Sequence, residues 1–387
     1  HEGVGTLAWI VGGAVRDALL GLPVPEIDVA VSGDAESLAR ELEREGFGRA
    51  VFISRDRPGP RVFRVAGKDP LDIAEIEGGT IEADLQRRDF TVNALAAALD
   101  SGELLDPFGG RKDLARGRLR CVHPRNLLED PLRVLRAARL MATRNLTPDR
   151  ATLAASRRAA PRFRRVAPER VAAELWKLLG AASAQPAMSW ARRAGILPAA
   201  LRLKLSKGKA ARAVRSLSVL EHRAIRALEP QQRRRLRLAR LAAGLSLSPR
   251  KTRRWLRDLR APRRDVDEVS RLRLLADSAR RVKDRRDAWQ WILEAGDLAP
   301  EALRLLALGS PRLKPLASRL RRMTRLPRAR VPVTGDDVVR WVGIAPGPQV
   351  GALLAQLRLA AAMGTVRNRR EARNWLTGQV PNAPHRL

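Results

Sequence analysis

The chain contains a single cysteine, Cys121, among 387 residues. One thiol excludes an intrachain disulfide and any metal centre built from several cysteines. His123, His222 and His385 are scattered along the sequence, so no histidine–aspartate metal hydrolase domain is visible. We expect Cys121 to be a small core residue of a protein from a reducing compartment.

The sequence also lacks long apolar runs. No stretch reaches the length of about 20 residues that a membrane-spanning helix needs. The first residues include an acid and no basic segment, which is not the pattern of a signal peptide. These absences predict a cytoplasmic protein without a membrane partner, and the sequence indicates no obligate protein partner.

Negative charge is scarce. Lysine and arginine number 75 against 41 aspartates and glutamates, which gives a formal net charge of +34. Such an excess is unusual for a metabolic enzyme and predicts a polyanionic partner, for which nucleic acid is the best fit. An anionic membrane fits less well, because the sequence has no distinct basic amphipathic arm.

The order of apolar segments predicts an α+β region followed by an all-helical remainder. From about residue 125, leucine and alanine recur at spacings of three and four between arginines, which is typical of helices. Before that point short β-like runs alternate with helical segments. The predicted strands are Leu7–Val11, Ile27–Val31, Ala50–Ile53, Val62–Ala66 and Leu71–Ile76.

The segment 7–31 carries the first chemical motif. A predicted strand ends at Gly12 and Gly13, and a second strand begins around Glu26 and Asp28. Residues two apart on a strand project to one face, so these two carboxylates can bind the same Mg²⁺. The glycines let backbone N–H groups approach a phosphate closely. The alternative is an ordinary strand–turn–helix with a solvated acidic edge.

Two further motifs follow at residues 87–95 (RRDFTVNAL) and 129–139 (EDPLRVLRAAR). In the second of them Pro131 suits a first helical turn, and three arginines recur at steps of three, which places them on roughly one helix face. Alone, such a face is usually just solvated.

Together these motifs resemble the class II tRNA nucleotidyltransferases and bacterial poly(A) polymerases, which belong to the DNA polymerase β superfamily. The resemblance implies a polymerase β-like nucleotidyltransferase head followed by an all-α neck, body and tail, with Mg²⁺ as the cofactor. The implied catalytic residues are Glu26, Asp28 and Asp72, of which Glu26 and Asp28 would hold the metal. The family usually has two aspartates where this chain has Glu26 and Asp28. The implied nucleotide-binding residues are Gly12, Gly13, Arg16, Arg88, Asp89, Asp130, Arg133 and Arg136.

The resemblance also implies individual roles. Arg88 would bind phosphate or ribose, Asp89 would accept from a ribose hydroxyl, and Arg136 would bind phosphate. Asp130 would accept from an exocyclic amino group while Arg133 donates to a ring nitrogen or carbonyl. Cytosine and adenine present that pattern and uracil and guanine do not, so the pair could select C and A without a template.

By the same resemblance the chain divides into a head (1–122), a neck (123–200), a body (201–328) and a tail (329–387). Family members that complete CCA usually carry a longer flexible loop before the RRD motif. Here Glu75–Ala83 leave little chain for such a loop, which resembles the members that add only CC. The tail also carries a glycine- and proline-rich segment, 343–351, typical of the family.

The sequence therefore predicts a template-independent tRNA nucleotidyltransferase that adds CMP to the 3′ end of tRNA from CTP and releases pyrophosphate. A complete CCA-adding enzyme, which would also use ATP, is the first alternative. An A-adding enzyme or poly(A) polymerase is the second. A non-catalytic basic RNA-binding protein is the alternative from another class.

Overall fold

The structure is a computed structural model that describes residues 7–53, 61–221, 223–309, 311–325 and 331–379. Short strands and helices share the N-terminal part, and helices make up nearly all of the remainder. This arrangement confirms the predicted α+β head and all-α continuation. No helix in the described part of the chain is long and apolar enough to cross a membrane.

The strands of the head form one seven-stranded sheet in the order β3-β4-β5-β2-β1-β6-β7. Only β2 and β5 run parallel, and the other neighbours are antiparallel. A second, two-stranded sheet pairs β8 with β9. The strands are β1 Ala8–Val11, β2 Ile27–Val31, β3 Arg49–Phe52, β4 Val62–Ala66, β5 Leu71–Glu75, β6 Ala96–Ala98, β7 Leu104–Leu105, β8 Arg118–Leu119 and β9 Thr147–Pro148.

The five predicted strands agree with β1 to β5 to within one residue at each end. The reason is that their apolar side chains pack on both faces of the sheet. One face is covered by the amphipathic helix α2, whose Ala35 and Ala39 are buried against Phe63 and Ile73. The other face packs against helix α3, largely through Leu85. Both faces of the sheet are thus covered in its centre, and the polar residues of the predicted site lie at the ends of its strands.

Helices lie between the strands of the first part and make up nearly all of the rest of the described chain. Those of the first half are α1 Gly13–Leu19, α2 Ala35–Arg44, α3 Ile81–Gln86, α4 Gly110–Ala115, α5 Pro124–Glu129, α6 Leu132–Arg144, α7 Arg150–Ala159, α8 Pro168–Gly180, α9 Gln185–Arg193, α10 Leu197–Ala200 and α11 Lys207–Arg215. Those of the second half are α12 Arg223–Arg226, α13 Pro230–Gly244, α14 Pro249–Asp258, α15 Arg263–Ser278, α16 Arg285–Ala295, α17 Ala299–Gly309, α18 Lys314–Thr324, α19 Gly335–Val342, α20 Pro348–Met363 and α21 Arg369–Gly378.

The chain separates into two compact units. The first comprises residues 1–215 with 223–234, and the second comprises residues 216–222 with 235–387. The finer division into head, neck, body and tail stays a prediction, and its boundary at 328/329 lies outside the described residues. In the second unit α19, α20 and α21 share an apolar core of their own, with Val338, Leu353 and Leu376 among its buried members.

Local signals in the sequence explain several helix ends. The tail helix α20 begins at Pro348 directly after Gly347, as the glycine- and proline-rich segment predicts. Helix α19 starts with a capping box between Thr334 and Asp337. Cys121 is a buried free thiol, as expected.

Candidate active site in the first unit

The diglycine turn joins β1 to α1 and lies against Arg88. Gly12 has φ +73°, a left-handed conformation that favours glycine. A Cβ added at Gly12 would lie 2.6 Å from Nη1 of Arg88 and 3.7 Å from Oδ2 of Asp28. A Cβ at Gly13 would make only an ordinary contact of 3.5 Å with Nη2 of Arg16. The fold itself therefore requires glycine at position 12, whereas at position 13 any such requirement would come from a ligand.

The acidic residues of the first motif lie at the start of β2. Asp28 is exposed and stands between Val11 of β1 and Asp72 of β5 in the ladder. Glu26 is exposed too, but it precedes β2, which begins at Ile27. The structure thus corrects the expectation that both carboxylates belong to the strand, because regular pairing starts one residue later. The ladder places Asp28 beside the diglycine turn.

The predicted third carboxylate, Asp72, faces an arginine. Nε and Nη2 of Arg64 on β4 each donate to one oxygen of Asp72, both at 2.7 Å. The bond and charge of Asp72, together with the charges of Glu26 and Asp28, raise the pKa of Arg64 above its ordinary value. All three carboxylates therefore lie within electrostatic reach of one guanidinium.

The donor set fits a divalent cation through two carboxylates. Glu26 and Asp28 are exposed hard oxygen ligands, which Mg²⁺ and similar ions prefer. Within the described residues no group of three histidine, cysteine, aspartate or glutamate side chains converges on a common position for an ion. Asp72 is bonded to Arg64 instead. Asp72 as a catalytic residue stays a prediction.

A buried acidic residue, Asp84, binds both arginines of the RRD motif. Asp84 on α3 accepts from Nη2 of Arg88 at 2.9 Å and from Nε of Arg87 at 3.0 Å. Burial alone would raise the pKa of Asp84, but the charges of Arg88 and Arg87 hold it below its ordinary value. Asn126 of α5 fixes the same segment by donating to the backbone carbonyls of Gln86 and Arg88. Arg88 is thereby held next to Gly12 and Asp28.

Asp89 is placed deeper than the sequence predicts. Its side chain is buried and accepts from Nδ2 of Asn93 at 2.8 Å and from Nη1 of Arg136 at 3.0 Å. Asn93 in turn accepts from Arg16, which is itself buried. Burial opposes ionisation of Asp89, but the charge of Arg136 and the bond from Asn93 lower its pKa. In the structure Asp89 and Arg16 contact protein groups, and their contact with nucleotide stays a prediction.

The three arginines of α6 share one face, as their spacing predicts, but that face is half-buried instead of solvated. Nη1 of Arg133 donates to the backbone carbonyls of Arg87 at 2.7 Å and Asn126 at 3.2 Å. Arg136 and Arg139 both donate to Glu174 on α8. Burial tends to lower the pKa of Arg136, but the charges of Asp89 and Glu174 raise that pKa above the ordinary value for arginine.

Asp130 lies between α5 and α6 and is bound by an arginine of α8. Nη2 of Arg170 donates to Oδ2 of Asp130 at 2.7 Å. Oδ1 accepts from the backbone N–H of Leu132 at 3.3 Å. The charge of Asp130 acts on Arg133, so the two predicted base-reading groups are electrostatic neighbours.

Sequence reasoning missed the residues that hold this site together. Arg64, Asp84, Asn126, Arg170 and Glu174 all bond to predicted site residues. Arg170 and Glu174 are four apart on a helix, a spacing that puts them on one face. That spacing is a weak signal, because it does not say which face points at the predicted site.

The connection between β5 and α3 is short and fixed at both ends. It comprises residues 76–80. The backbone N–H of Ile76 donates to Val31 at 2.9 Å, and that of Glu77 donates to Asp84 at 3.3 Å. Thr80 caps α3 by accepting from Ala83.

Comparison with known proteins identifies the family of this chain. Residues 8–120 match the family model described as the poly A polymerase head domain, and residues 145–202 match the probable RNA and SrmB- binding site of polymerase A. The CC-adding tRNA nucleotidyltransferase of Geobacter sulfurreducens is 34% identical over 100% of this chain and 95% of the relative. This chain belongs to the tRNA nucleotidyltransferase family. It is accordingly a nucleotidyltransferase with the polymerase β-like head of that family.

Relatives of both product types occur within the family. The CCA-adding enzyme of Geobacillus stearothermophilus is 32% identical over 94% of this chain and 91% of the relative. The crystal structure of the Bacillus stearothermophilus CCA-adding enzyme in complex with CTP is similar to this chain with a TM-score of 0.71 and 30% identity, over 97% of this chain and 93% of that one. These matches establish the family without deciding between CC and CCA.

Proposed function

We propose that this chain is a template-independent nucleotidyltransferase that adds two CMP residues to the 3′ end of tRNA from CTP. One observation carries the assignment of the reaction centre: Asp28 and Arg88 meet at the Gly12 turn, where a Cβ would contact both. This arrangement puts a metal-binding oxygen and a phosphate-binding guanidinium beside a backbone that a triphosphate can approach.

Glu26 and Asp28 would hold divalent metal, for which we propose Mg²⁺. When bound, Mg²⁺ activates a 3′-hydroxyl for attack and neutralises charge on the triphosphate. Arg88 supports the same end of the nucleotide, because Asp84 fixes its Nε and Nη2 while Nη1 points toward Gly12. The phosphate would therefore meet a guanidinium that is already positioned, which avoids the entropic cost of ordering a free side chain.

The base would be read by Asp130 and Arg133. Arg133 is anchored by two backbone carbonyls through Nη1, and a guanidinium has further N–H groups to offer a ring nitrogen or carbonyl. Asp130 would accept from the amino group of cytosine. Arg170 positions that carboxylate, since its bond at 2.7 Å limits how Asp130 can turn. A reader held by protein contacts can discriminate between bases without a template strand.

Arg136 and Asp89 would act mainly by positioning. Their ion pair links the RRD segment to α6, and Glu174 holds the other side of Arg136. Arg136 would contact phosphate through the exposed part of its side chain, whereas the proposed ribose contact of Asp89 would be made by a buried carboxylate.

The CC product is supported by the connection 76–80. A change from CTP to ATP requires the pocket to admit a larger purine against the same Asp130 and Arg133. In the family the longer loop is thought to help with that change. Here Ile76, Glu77 and Thr80 are all hydrogen-bonded, so the connection has little chain left to move.

A primer-extension assay tests the proposal. The protein is incubated with each NTP and with tRNA transcripts that end at the discriminator base, in C or in CC, and product lengths are read on a gel. We expect two C additions and then a stall, even with ATP present. Efficient AMP addition to tRNA ending in CC would move the assignment to the CCA-adding or A-adding alternative. No addition with any NTP would support the non-catalytic RNA-binding alternative.

A further inference from the structure

The second unit contains buried and partly buried arginines of two kinds. Arg235 on α13 has a side chain only 7% exposed, and it is bound by Asp265 at 3.0 Å and by Glu268. That arrangement is what a buried guanidinium ordinarily needs, because an uncompensated charge in the interior is costly. Other arginines of this unit have different bonding partners.

Arg240 and Arg273 are bonded to neutral groups instead. Nε of Arg240 donates to the backbone carbonyl of Ser216 at 3.1 Å, and Nη2 of Arg273 donates to that of Leu247 at 3.3 Å. The side chain of Arg273 is only 13% exposed, and its Nε is buried without a hydrogen-bond partner among the described residues. Its nearest ion-pair partner, Asp277, is 3.9 Å away and half-exposed.

A third arginine, Arg280, lies within electrostatic reach of Arg240 and Arg273. Positions 273, 277 and 280 run along one side of α15 and the 3₁₀ turn Ala279–Arg281 that follows it. Arg280 is exposed. Burial, and after it the charges of Arg273 and Arg280, lower the pKa of Arg240. Arg280 also acts on Arg273 in the same sense. The three guanidiniums thus repel one another, and the carboxylate of Asp277 offsets that repulsion at Arg273.

We propose that Arg240, Arg273 and Arg280 form a binding site for a backbone phosphate of the RNA substrate. A phosphate oxygen would supply the negative charge that the cluster lacks, and guanidinium groups are well suited to bidentate phosphate contacts. The exposed Arg280 gives the site an open side, which a phosphate on a large polyanion can reach. The proposal rests on the proposed function, because that function supplies the RNA.

The test compares three single variants with the wild-type full-length protein. Arg280→Gln removes the exposed member of the cluster, whose side chain makes no hydrogen bond to the described residues. Arg281→Gln is the matched control, since it makes the same charge change at the adjacent exposed residue. Asp277→Asn removes the carboxylate that competes with the phosphate. The dissociation constant of a tRNA transcript is measured by fluorescence anisotropy over a series of salt concentrations.

We expect Arg280→Gln to weaken tRNA binding by on the order of five- to tenfold and to reduce the slope of log K against log salt by about one. Arg281→Gln should change the affinity by less than about twofold, and Asp277→Asn should tighten binding a few-fold. A merely structural role for the cluster would not produce that gain.

Equal losses in Arg280→Gln and Arg281→Gln would overturn the site in favour of a diffuse basic surface. Wild-type affinity in Arg280→Gln, with CMP addition intact in the wild type, would overturn this inference alone. Absence of tRNA binding by the wild type would overturn the proposed function as well. A thermal-shift measurement with inorganic phosphate tests whether the site binds a free phosphate anion instead of a phosphate of the RNA. If phosphate stabilises the wild type but not Arg280→Gln, and tRNA affinity is equal in both, the site takes a free anion instead.

Discussion

The metal side and the base-reading side of the candidate active site are built in opposite ways. On the metal side Glu26 and Asp28 are exposed at the start of a strand. On the base-reading side Asp89 and Glu174 are enclosed with Arg136 in ion pairs of 3.0 and 3.3 Å. Exposed carboxylates leave room for a ligand to complete the site. Enclosed ones fix geometry in advance, which a reader without a template requires.

If this contrast is right, a substitution on the metal side should have the largest effect on the rate of CMP addition. Asp28→Asn removes a charged metal ligand and keeps the side-chain shape. Metal-ion catalysis supplies several kcal/mol, so we expect CMP addition to fall by on the order of 1,000-fold. tRNA affinity should stay within about twofold, because basic side chains elsewhere bind the RNA. Single-turnover extension and anisotropy measure the two quantities.

The matched control is Glu103→Gln, which neutralises an exposed acid directly before β7. It should leave both quantities unchanged. Addition by Asp28→Asn at the wild-type rate would show that the start of β2 is not the metal site.

The largest stability effect belongs to the base-reading side. Asp89→Asn leaves Arg136 with Glu174 as its remaining ion-pair partner among the described residues. Losing a charged hydrogen bond in a buried network should lower the free energy of unfolding by about 2–3 kcal/mol. Urea unfolding followed by circular dichroism measures it. Asp28→Asn, by contrast, should change stability by less than about 0.5 kcal/mol, because Asp28 is exposed.

The pH dependence supplies a second check on Asp89. Its pKa in the folded protein lies below the ordinary value of 3.8. Its contribution to stability is therefore complete above that value and is lost as the pH falls toward the lowered pKa. The difference between wild type and Asp89→Asn should shrink below about pH 3.8. A difference that stays constant down to pH 2 would contradict the buried ion pair.

Asp130→Asn should relax the choice of base. The amide can turn its NH₂ toward the carbonyl of uracil, so the acceptor that favours cytosine is no longer fixed. Lost recognition of this kind corresponds to about 1–3 kcal/mol, and we expect the ratio of CMP to UMP incorporation to fall by on the order of tenfold. Glu129→Gln, at the adjacent exposed acid, is the control. An unchanged ratio in Asp130→Asn would remove Asp130 from the reader.

The sequence predicted the strands, the motifs and their neighbourhood well, because these depend on local patterns. Short apolar runs indicate β1 to β5, and the positive φ at position 12 marks a turn that favours glycine. The partners of the motifs were not predictable. Arg64 reaches Asp72 through strand pairing, and Arg170 reaches Asp130 from a helix that starts nearly forty residues later. Such pairs depend on tertiary packing, on which spacing along the chain carries no information.

The smallest expected effect is that of Glu26→Asp. Comparing this variant with Asp28→Glu distinguishes the two carboxylates of the metal side from each other. Glu26 precedes β2 and is exposed, so a shorter side chain there can be compensated by a small backbone shift. Glu26→Asp should keep CMP addition within about threefold of wild type, since both residues supply a hard oxygen ligand. Asp28 is fixed in the ladder between two strands, beside Gly12. Asp28→Glu would displace its carboxylate by about one methylene, and a misplacement near 1 Å can cost on the order of 100-fold. Rates of CMP addition at saturating CTP measure both variants. Equal tolerance at the two positions would mean that the strand does not fix Asp28, and the contrast between a positioned and an adjustable ligand would fail.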